Sequence, residues 1–276
     1  MGRVILITGI STGFGKETAS LLAALGHKVY GTVRSECDVA EGINLLTMDL
    51  TDHDSIRKTV RLVVEREGRI DVLVNNGGMH TGGPVETLPE EYIRLQMETS
   101  FMGMVRLTRE VLPVMRAGGG GRIINISSIG GLMGLPYQGF YSAAKFAVEG
   151  FSDALRMEVQ QFNIRVVVIN PGDFRTNNSA NRRKFLAPSG SDDPYAGQFS
   201  KSLSVIESDE AGGRHPVLLA KKLARIIECR HPRQRYVIAT PDQKLAVILK
   251  RIVPPGLFTL ILGSHYGISR HKESRR

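Results

Sequence analysis

Tyr141 and Lys145 stand four residues apart, and Ser128 lies thirteen residues before the tyrosine. If Tyr141 opens a helix, phenol and ammonium share one face, one turn apart. An ammonium held beside a phenol favours phenolate and lowers the tyrosine pKa from about 10 toward neutrality. A tyrosine so tuned exchanges a proton at working pH. A nearby serine hydroxyl can hold the oxygen of a carbonyl or an alcohol. The three side chains suit a hydride-transfer reaction, provided a nicotinamide lies beside them. A Tyr-x-x-x-Lys pair alone is more often an exposed helix pair, so the reading depends on the elements that would position it.

Those elements alternate as strand and helix. Arg3 to Thr8 reads as a buried parallel strand. It is followed by Thr8-Gly9-Ile10-Ser11-Thr12-Gly13-Phe14-Gly15, and then by a helical run from Lys16 to Leu25. Strand, glycine turn and helix at this spacing let the backbone approach a pyrophosphate at the positive helix N-terminus. Lys28 to Val33 is a second strand, and Arg34 follows where a cation would grip a ribose 2′-phosphate. This favours NADP(H) over NAD(H); in the NAD reading, Glu36 or Asp38 would hold the ribose. A third strand ends at Asp49-Leu50, where Asp49 can accept from an adenine amino group or serve a helix cap. A fourth ends at Asn75-Asn76-Gly77-Gly78, polar residues of the kind found at ligand-binding strand ends. Helical patterns span Leu88–Met115 and Tyr141–Phe162. Further strands run from Arg122 to Ile126, Ile164 to Asn170 and Arg235 to Thr240. The expected fold is a single α/β domain, a Rossmann-type doubly wound sheet of seven parallel strands with helices on both faces.

Composition bounds the function classes. The chain has 276 residues, 23% charged and 42% hydrophobic, ordinary for a globular domain. Cys37 and Cys229 show neither metal nor redox spacing, which suggests a reducing compartment. The first strand begins at Arg3, leaving no room for a signal peptide, and the expected location is cytoplasmic. No apolar run approaches the roughly 18 to 20 residues of a membrane helix. The net charge of +9 is spread, without nucleic-acid motifs, and reads as a solvated surface with a basic tail at His271–Arg276. No nucleic-acid partner is expected, and a membrane partner, through the amphipathic C-terminus and tail, is the weaker expectation.

Taken together, the glycine turn, Asn75-Asn76-Gly77, Ser128, Tyr141-x-x-x-Lys145, Pro171-Gly172 and Thr176 resemble the short-chain dehydrogenase/reductase family over Arg3 to Thr240. The chain looks most like 17β-hydroxysteroid-dehydrogenase-type members and related bacterial oxidoreductases. The resemblance implies that Tyr141 is the general acid/base and that Lys145 lowers its pKa and holds the nicotinamide ribose. It implies that Ser128 orients the substrate oxygen and that Asn75 and Gly77 lie along the cofactor. Pro171, Gly172 and Thr176 would hold its nicotinamide end, and Arg34 and Thr12 would select the 2′-phosphate. It also implies a homodimer or homotetramer formed through the two long helices. Two departures stand out. Ser100 occupies the place of an asparagine that holds a water in the family's proton relay, and Gly77 replaces an alanine.

Residues 173–215 lose periodicity and are expected to form a substrate lid with short helices. Residues 241–276 would be a C-terminal extension in which Leu257 to Leu262 packs over the site or meets a partner. Met79, Met133, Leu135, Tyr137, Phe140, Phe174, Phe185 and Tyr195 are candidate substrate walls, and each could equally be core. The expected activity is reduction of a hydrophobic ketone, or oxidation of the matching secondary alcohol. The rival reading is a cofactor-binding sensor or scaffold with weakened catalysis, which Ser100 keeps open.

Overall fold

The computed structural model describes residues 2–176, 182–185 and 192–268. The seven β-rich runs form one parallel sheet: β1 (Val4–Thr8), β2 (Lys28–Val33), β3 (Ile43–Thr47), β4 (Val72–Asn75), β5 (Gly121–Ile126), β6 (Ile164–Pro171) and β7 (Arg235–Ile238). Their order across the sheet is 3-2-1-4-5-6-7. The winding reverses between β1 and β4, which register Ile5 with Val72 and Ile7 with Val74. Ligands of open α/β sheets bind at such a switch point, beyond the carboxyl ends of the strands.

Strand alternation sends side chains to two helical layers. Ile5 and Ile7 pack with Leu22 of α1 (Gly13–Ala24) and with Leu219 and Leu223 of α7 (Val217–Glu228). Leu6 faces the other way, toward Val60 of α2 (His53–Glu67), Leu107 of α4 (Gly103–Ala117) and Leu155 of α5 (Gly139–Val159). All three strand residues are fully buried, each contributing roughly 1.5–3 kcal/mol by removal from water. Helix ends follow local chemistry. The Asp52 side chain accepts from Asp54 N at 2.8 Å to start α2, and Gly68 ends it with left-handed backbone (φ 69°).

Two expectations need correction. The expected Leu88–Met115 helix is interrupted: α3 (Glu90–Met97) runs into one wide π turn at Glu98–Met102 before α4 begins. Such insertions are frequent at functional sites, and this one carries Ser100. Among the described residues of the expected lid, Ala196–Gly212 forms one long helix, α6, where short helices were expected. Its buried face, Phe199, Leu203, Ile206 and Glu210, was hidden by the serines and acids between. Two short parallel strands, Thr81–Gly82 and Arg183–Lys184, join this region to the loop after β4. Residues 177–181 and 186–191 of the lid, and the basic tail from 269, lie outside the described residues. The C-terminal helices are α8 (Pro241–Ile252) and α9 (Pro255–His265).

Candidate active site

A cleft of about 690 Å³ opens along the carboxyl edge of the sheet. One end is the turn between β1 and α1. Gly9 has left-handed backbone (φ 70°), and a Cβ there would stand 2.9 Å from the Gly77 Cα. A Cβ on Gly15 would meet the Gly9 carbonyl oxygen at 2.1 Å, so helix and turn touch backbone to backbone. Asn76 clamps the turn, its Nδ2 donating to the Thr8 and Gly9 carbonyls at 2.9 and 3.0 Å. Thr8 Oγ1 accepts from Gly77 N at 2.7 Å. The first turn of α1 has neither a side-chain cap nor an acidic residue, so its amides remain available to an anion at the positive helix end. Ser11, Thr12, Gly13 and Phe14 line this end, with Arg34, Asp49 and Leu50 beside them. Arg34 is exposed. Asp49 Oδ1 accepts from Thr51 N and Oγ1, both at 2.8 Å. These features fit a dinucleotide: amides for a pyrophosphate, a cation for a 2′-phosphate and an acceptor for a base.

The middle of the cleft holds the chemistry. Strand β5 delivers Ser128, and α5 brings up Tyr141 and Lys145. The Ser128 hydroxyl stands near enough to the Tyr141 hydroxyl to favour its phenolate. Ser128 Oγ also accepts from Gly130 N at 3.0 Å. Lys145 Nζ donates to the Ile126 carbonyl at 2.8 Å and lies 5.8 Å from the centre of the Tyr141 ring. A polar chain supports them from behind. Asn170 Nδ2 donates to Ser128 O at 2.9 Å and to Glu149 Oε1 at 2.6 Å. Arg235 Nη2 donates to Glu149 Oε2 at 2.7 Å. Sequence reasoning missed this chain, although Tyr141, Lys145 and Glu149 follow at i, i+4 and i+8 on one helical face.

The expected fall in the Tyr141 pKa is not what this geometry gives. Burial raises it, and the Ser128 hydroxyl only partly offsets that. Burial also lowers Lys145 to about 8, against the opposing pull of Glu149. The reason is common to both: removal from water disfavours phenolate and ammonium alike. His80, also missed from sequence, stacks on Tyr141 with ring centres 4.0 Å apart and 20° between planes. Burial, then Arg182 and Lys145, hold its pKa well below the usual imidazole value, the hydrogen bond with Gln138 opposing them. His80 is therefore a neutral lid on the phenol.

The far end of the cleft is acidic. Asp173, Asp209 and Glu210 line it, with Ile206 and Tyr266. Arg182, itself buried, pairs with Glu210 through Nη2. Burial first, then Glu210 and Asp209, raise Asp173 to about 6, although Gln243 Nε2 donates to its Oδ2. Phe174 reaches this wall and meets Phe14 edge to face at 4.9 Å. Met79, Leu135, Pro171, Gly172 and Thr176 also line the cleft.

Several sequence-selected residues, Phe140 among them, fall outside the lining. Asn75 is buried and donates to Thr108 Oγ1 and Asn125 Oδ1 at 3.1 and 2.8 Å, because the strand's alternation sends it into the helical layer. Gly15 provides close packing, as above. Ser100 accepts from Met79 N at 3.1 Å and from Gln96 Nε2 at 2.8 Å, so it braces the loop carrying His80. Met133 packs with Val247 and Phe258. Tyr137 adopts left-handed backbone (φ 57°) and stacks near Phe199, its hydroxyl donating to Gln198 Oε1 at 3.0 Å. Of the other candidate walls, Phe185 packs on Tyr92 and Tyr195 donates to Glu86 at 2.6 Å.

Comparison with known proteins decides what this arrangement is. The sequence profile described as short chain dehydrogenase matches residues 3–187. The 3-ketodihydrosphingosine reductase of Bacteroides thetaiotaomicron is 43% identical over 266 residues, covering 96% of this chain and 98% of the relative. The chain belongs to the short-chain dehydrogenase family. It is an oxidoreductase of that family, acting between CH–OH and C=O. A short-chain dehydrogenase from Streptomyces avermitilis superposes with a TM-score of 0.82 at 28% identity, covering 98% of this chain and all of that one. A short-chain dehydrogenase from Burkholderia cenocepacia, solved in complex with NADP, shares the fold (TM-score 0.73, 22% identity, 95% and 97% covered).

Proposed function

We propose that this short-chain dehydrogenase is an NADP(H)-dependent reductase of a long-chain amino ketone, of the type named in its Bacteroides relative. The observation that carries the reading is the pairing of the Ser128–Tyr141 hydroxyls with an acidic wall at the far end of the same cleft. A 3-keto dihydrosphingosine carries an ammonium on the carbon next to its ketone. Carboxylates crowded at Asp173, Asp209 and Glu210, with one cation among them, favour such a charge. A neutral steroid brings no charge to this wall, where Glu210 already pairs with Arg182 and Asp209 with His265. Arg34 beside the first strands supports NADP(H) over NAD(H).

A reduced nicotinamide held between Lys145 and Pro171-Gly172 would supply the hydride for the carbonyl carbon. Ser128 Oγ holds the carbonyl oxygen beside the Tyr141 hydroxyl. Tyr141 gives its hydroxyl proton to that oxygen, which leaves phenolate as the C–O double bond becomes an alcohol. In the acid direction a raised tyrosine pKa is no obstacle, since the proton is present at neutral pH. Lys145 stands close enough to stabilise the phenolate after transfer. His80 covers the ring face and keeps water from it.

The test is NADPH oxidation by the purified chain with 3-ketodihydrosphingosine, with the same ketone lacking its amine, and with a neutral steroid ketone. The amino ketone should be preferred by roughly tenfold or more in kcat/KM, equivalent to about 1.4 kcal/mol. Equal use of the amine-free ketone, or preference for the steroid, would overturn the assignment.

A further inference from the structure

The C-terminal helices each give one face to the protein. Val247 of α8 and Phe258 of α9 are buried with Ile129, Met133 and Ala239. Their outward faces are apolar too. On α8, Leu245, Ile248 and Ile252 are exposed, Ile252 by 71%; on α9, so are Leu257, Leu260 and Ile261. Residues three and four apart share a helical face, so each helix turns an aliphatic stripe to solvent, where a surface helix ordinarily carries charge. Clustered exposed aliphatics of this kind mark interaction surfaces.

The charges beside the stripes name the partner. Lys244, Lys250 and Arg251 are exposed on α8, and Lys250 Nζ lies 5.2 Å from the Phe258 ring centre, bridging to α9. Asp242 is the one carboxylate on either helix, and α9 has none. We propose that the outward faces of α8 and α9 dock on an anionic lipid bilayer, aliphatic side chains entering the acyl boundary and cations meeting the headgroups. Helices lying in the interface carry this combination of apolar and basic groups. A second copy of the chain is the poorer occupant, since two-fold pairing brings one cation-bearing face against another. No helix among the described residues is long and apolar enough to cross a membrane, so the contact is with the surface. Directly after α9 comes Tyr266, in the cleft wall, its carbonyl accepting from Ser202 Oγ at 2.7 Å. One helix thus joins the bilayer contact to the site that would receive an apolar substrate. Neither stripe nor cations depend on which ketone is reduced.

The experiment is co-sedimentation of the full chain with phosphatidylcholine vesicles containing phosphatidylglycerol, and with phosphatidylcholine alone, at low and high salt. NADPH binding and circular dichroism serve as folding controls. The chain should sediment with the anionic vesicles and be released by salt. Both Ile248→Glu/Ile252→Glu/Ile261→Glu and Lys250→Glu/Arg251→Glu should weaken vesicle partitioning by roughly tenfold or more while still binding NADPH. Wild type left in the supernatant would overturn the proposal, as would variants that partition like wild type. So would light scattering in which the isoleucine variant turns a dimer into a monomer with vesicle binding unchanged, which would make this face a self-interface. Because no turnover is read, the result stands apart from the substrate assignment.

Discussion

Replacing Asp173 by Asn should stabilise the fold at neutral pH, and the gain should shrink in acid. Burial and the neighbouring Glu210 and Asp209 raise its carboxyl from the ordinary 3.8 to about 6. Between those values the folded chain keeps a proton that the unfolded chain has released. Stability therefore falls as pH rises through this window, and the full penalty is present above it. That displacement corresponds to roughly 3 kcal/mol at pH 7.5, falling to roughly 1 kcal/mol at pH 4.5. Asparagine removes the charge but keeps an oxygen to accept from Gln243 Nε2, which now donates to Asp173 Oδ2. Urea unfolding of both proteins at the two pH values measures the difference. A gain of the same size at both, or a loss at pH 7.5, would refute the reasoning. On the proposed amino-ketone reading, the same variant should raise KM for that substrate and leave the amine-free ketone unaffected, because a carboxylate that holds an ammonium would be kept at a cost in stability.

Tyr141→Phe should lower kcat by roughly a hundredfold or more while NADPH binding, followed by fluorescence titration, is unchanged. Arg34→Ser should weaken NADPH by roughly tenfold and spare NADH, read by the same titration; equal loss of both would place Arg34 outside 2′-phosphate recognition. Asn170→Ala should destabilise by roughly 2–4 kcal/mol in urea, since it strips a donor from the buried Ser128 carbonyl and from Glu149. It should lower kcat as well, because Ser128 loses its anchor. A loss under about 1 kcal/mol would show that the polar chain behind the site bears little load.

Much of the fold was legible because parallel strands and their covering helices are written as local patterns. The run Val4–Ile7 is apolar throughout because both faces are buried, and α2 carries its own cap and stop at Asp52 and Gly68. The π turn at Glu98–Met102 was not legible, since the segments on both sides read as helix and no residue type marks a single wide turn between them. The length of α6 was concealed by polar residues packed against the acidic end of the cleft. Asn75 and Asn76 illustrate the same limit at one residue's resolution. Adjacent and identical in type, one turns into the helical layer and the other clamps the glycine turn.

What the sequence by itself determined is the order of elements and the presence of Ser128, Tyr141 and Lys145 at strand and helix ends that a parallel sheet brings together. Spacing and residue type suffice there, because strand length and helix period set where side chains emerge. What only the tertiary structure decided is the surroundings of those groups. His80 over the phenol, the Asn170–Glu149–Arg235 chain behind Ser128, and the carboxylates opposite come from loops and helices distant in sequence. Burial among them sets whether a proton is held or released. It reversed the expected shift of Tyr141 because desolvation depends on every neighbour at once, and a spacing of four residues records only one.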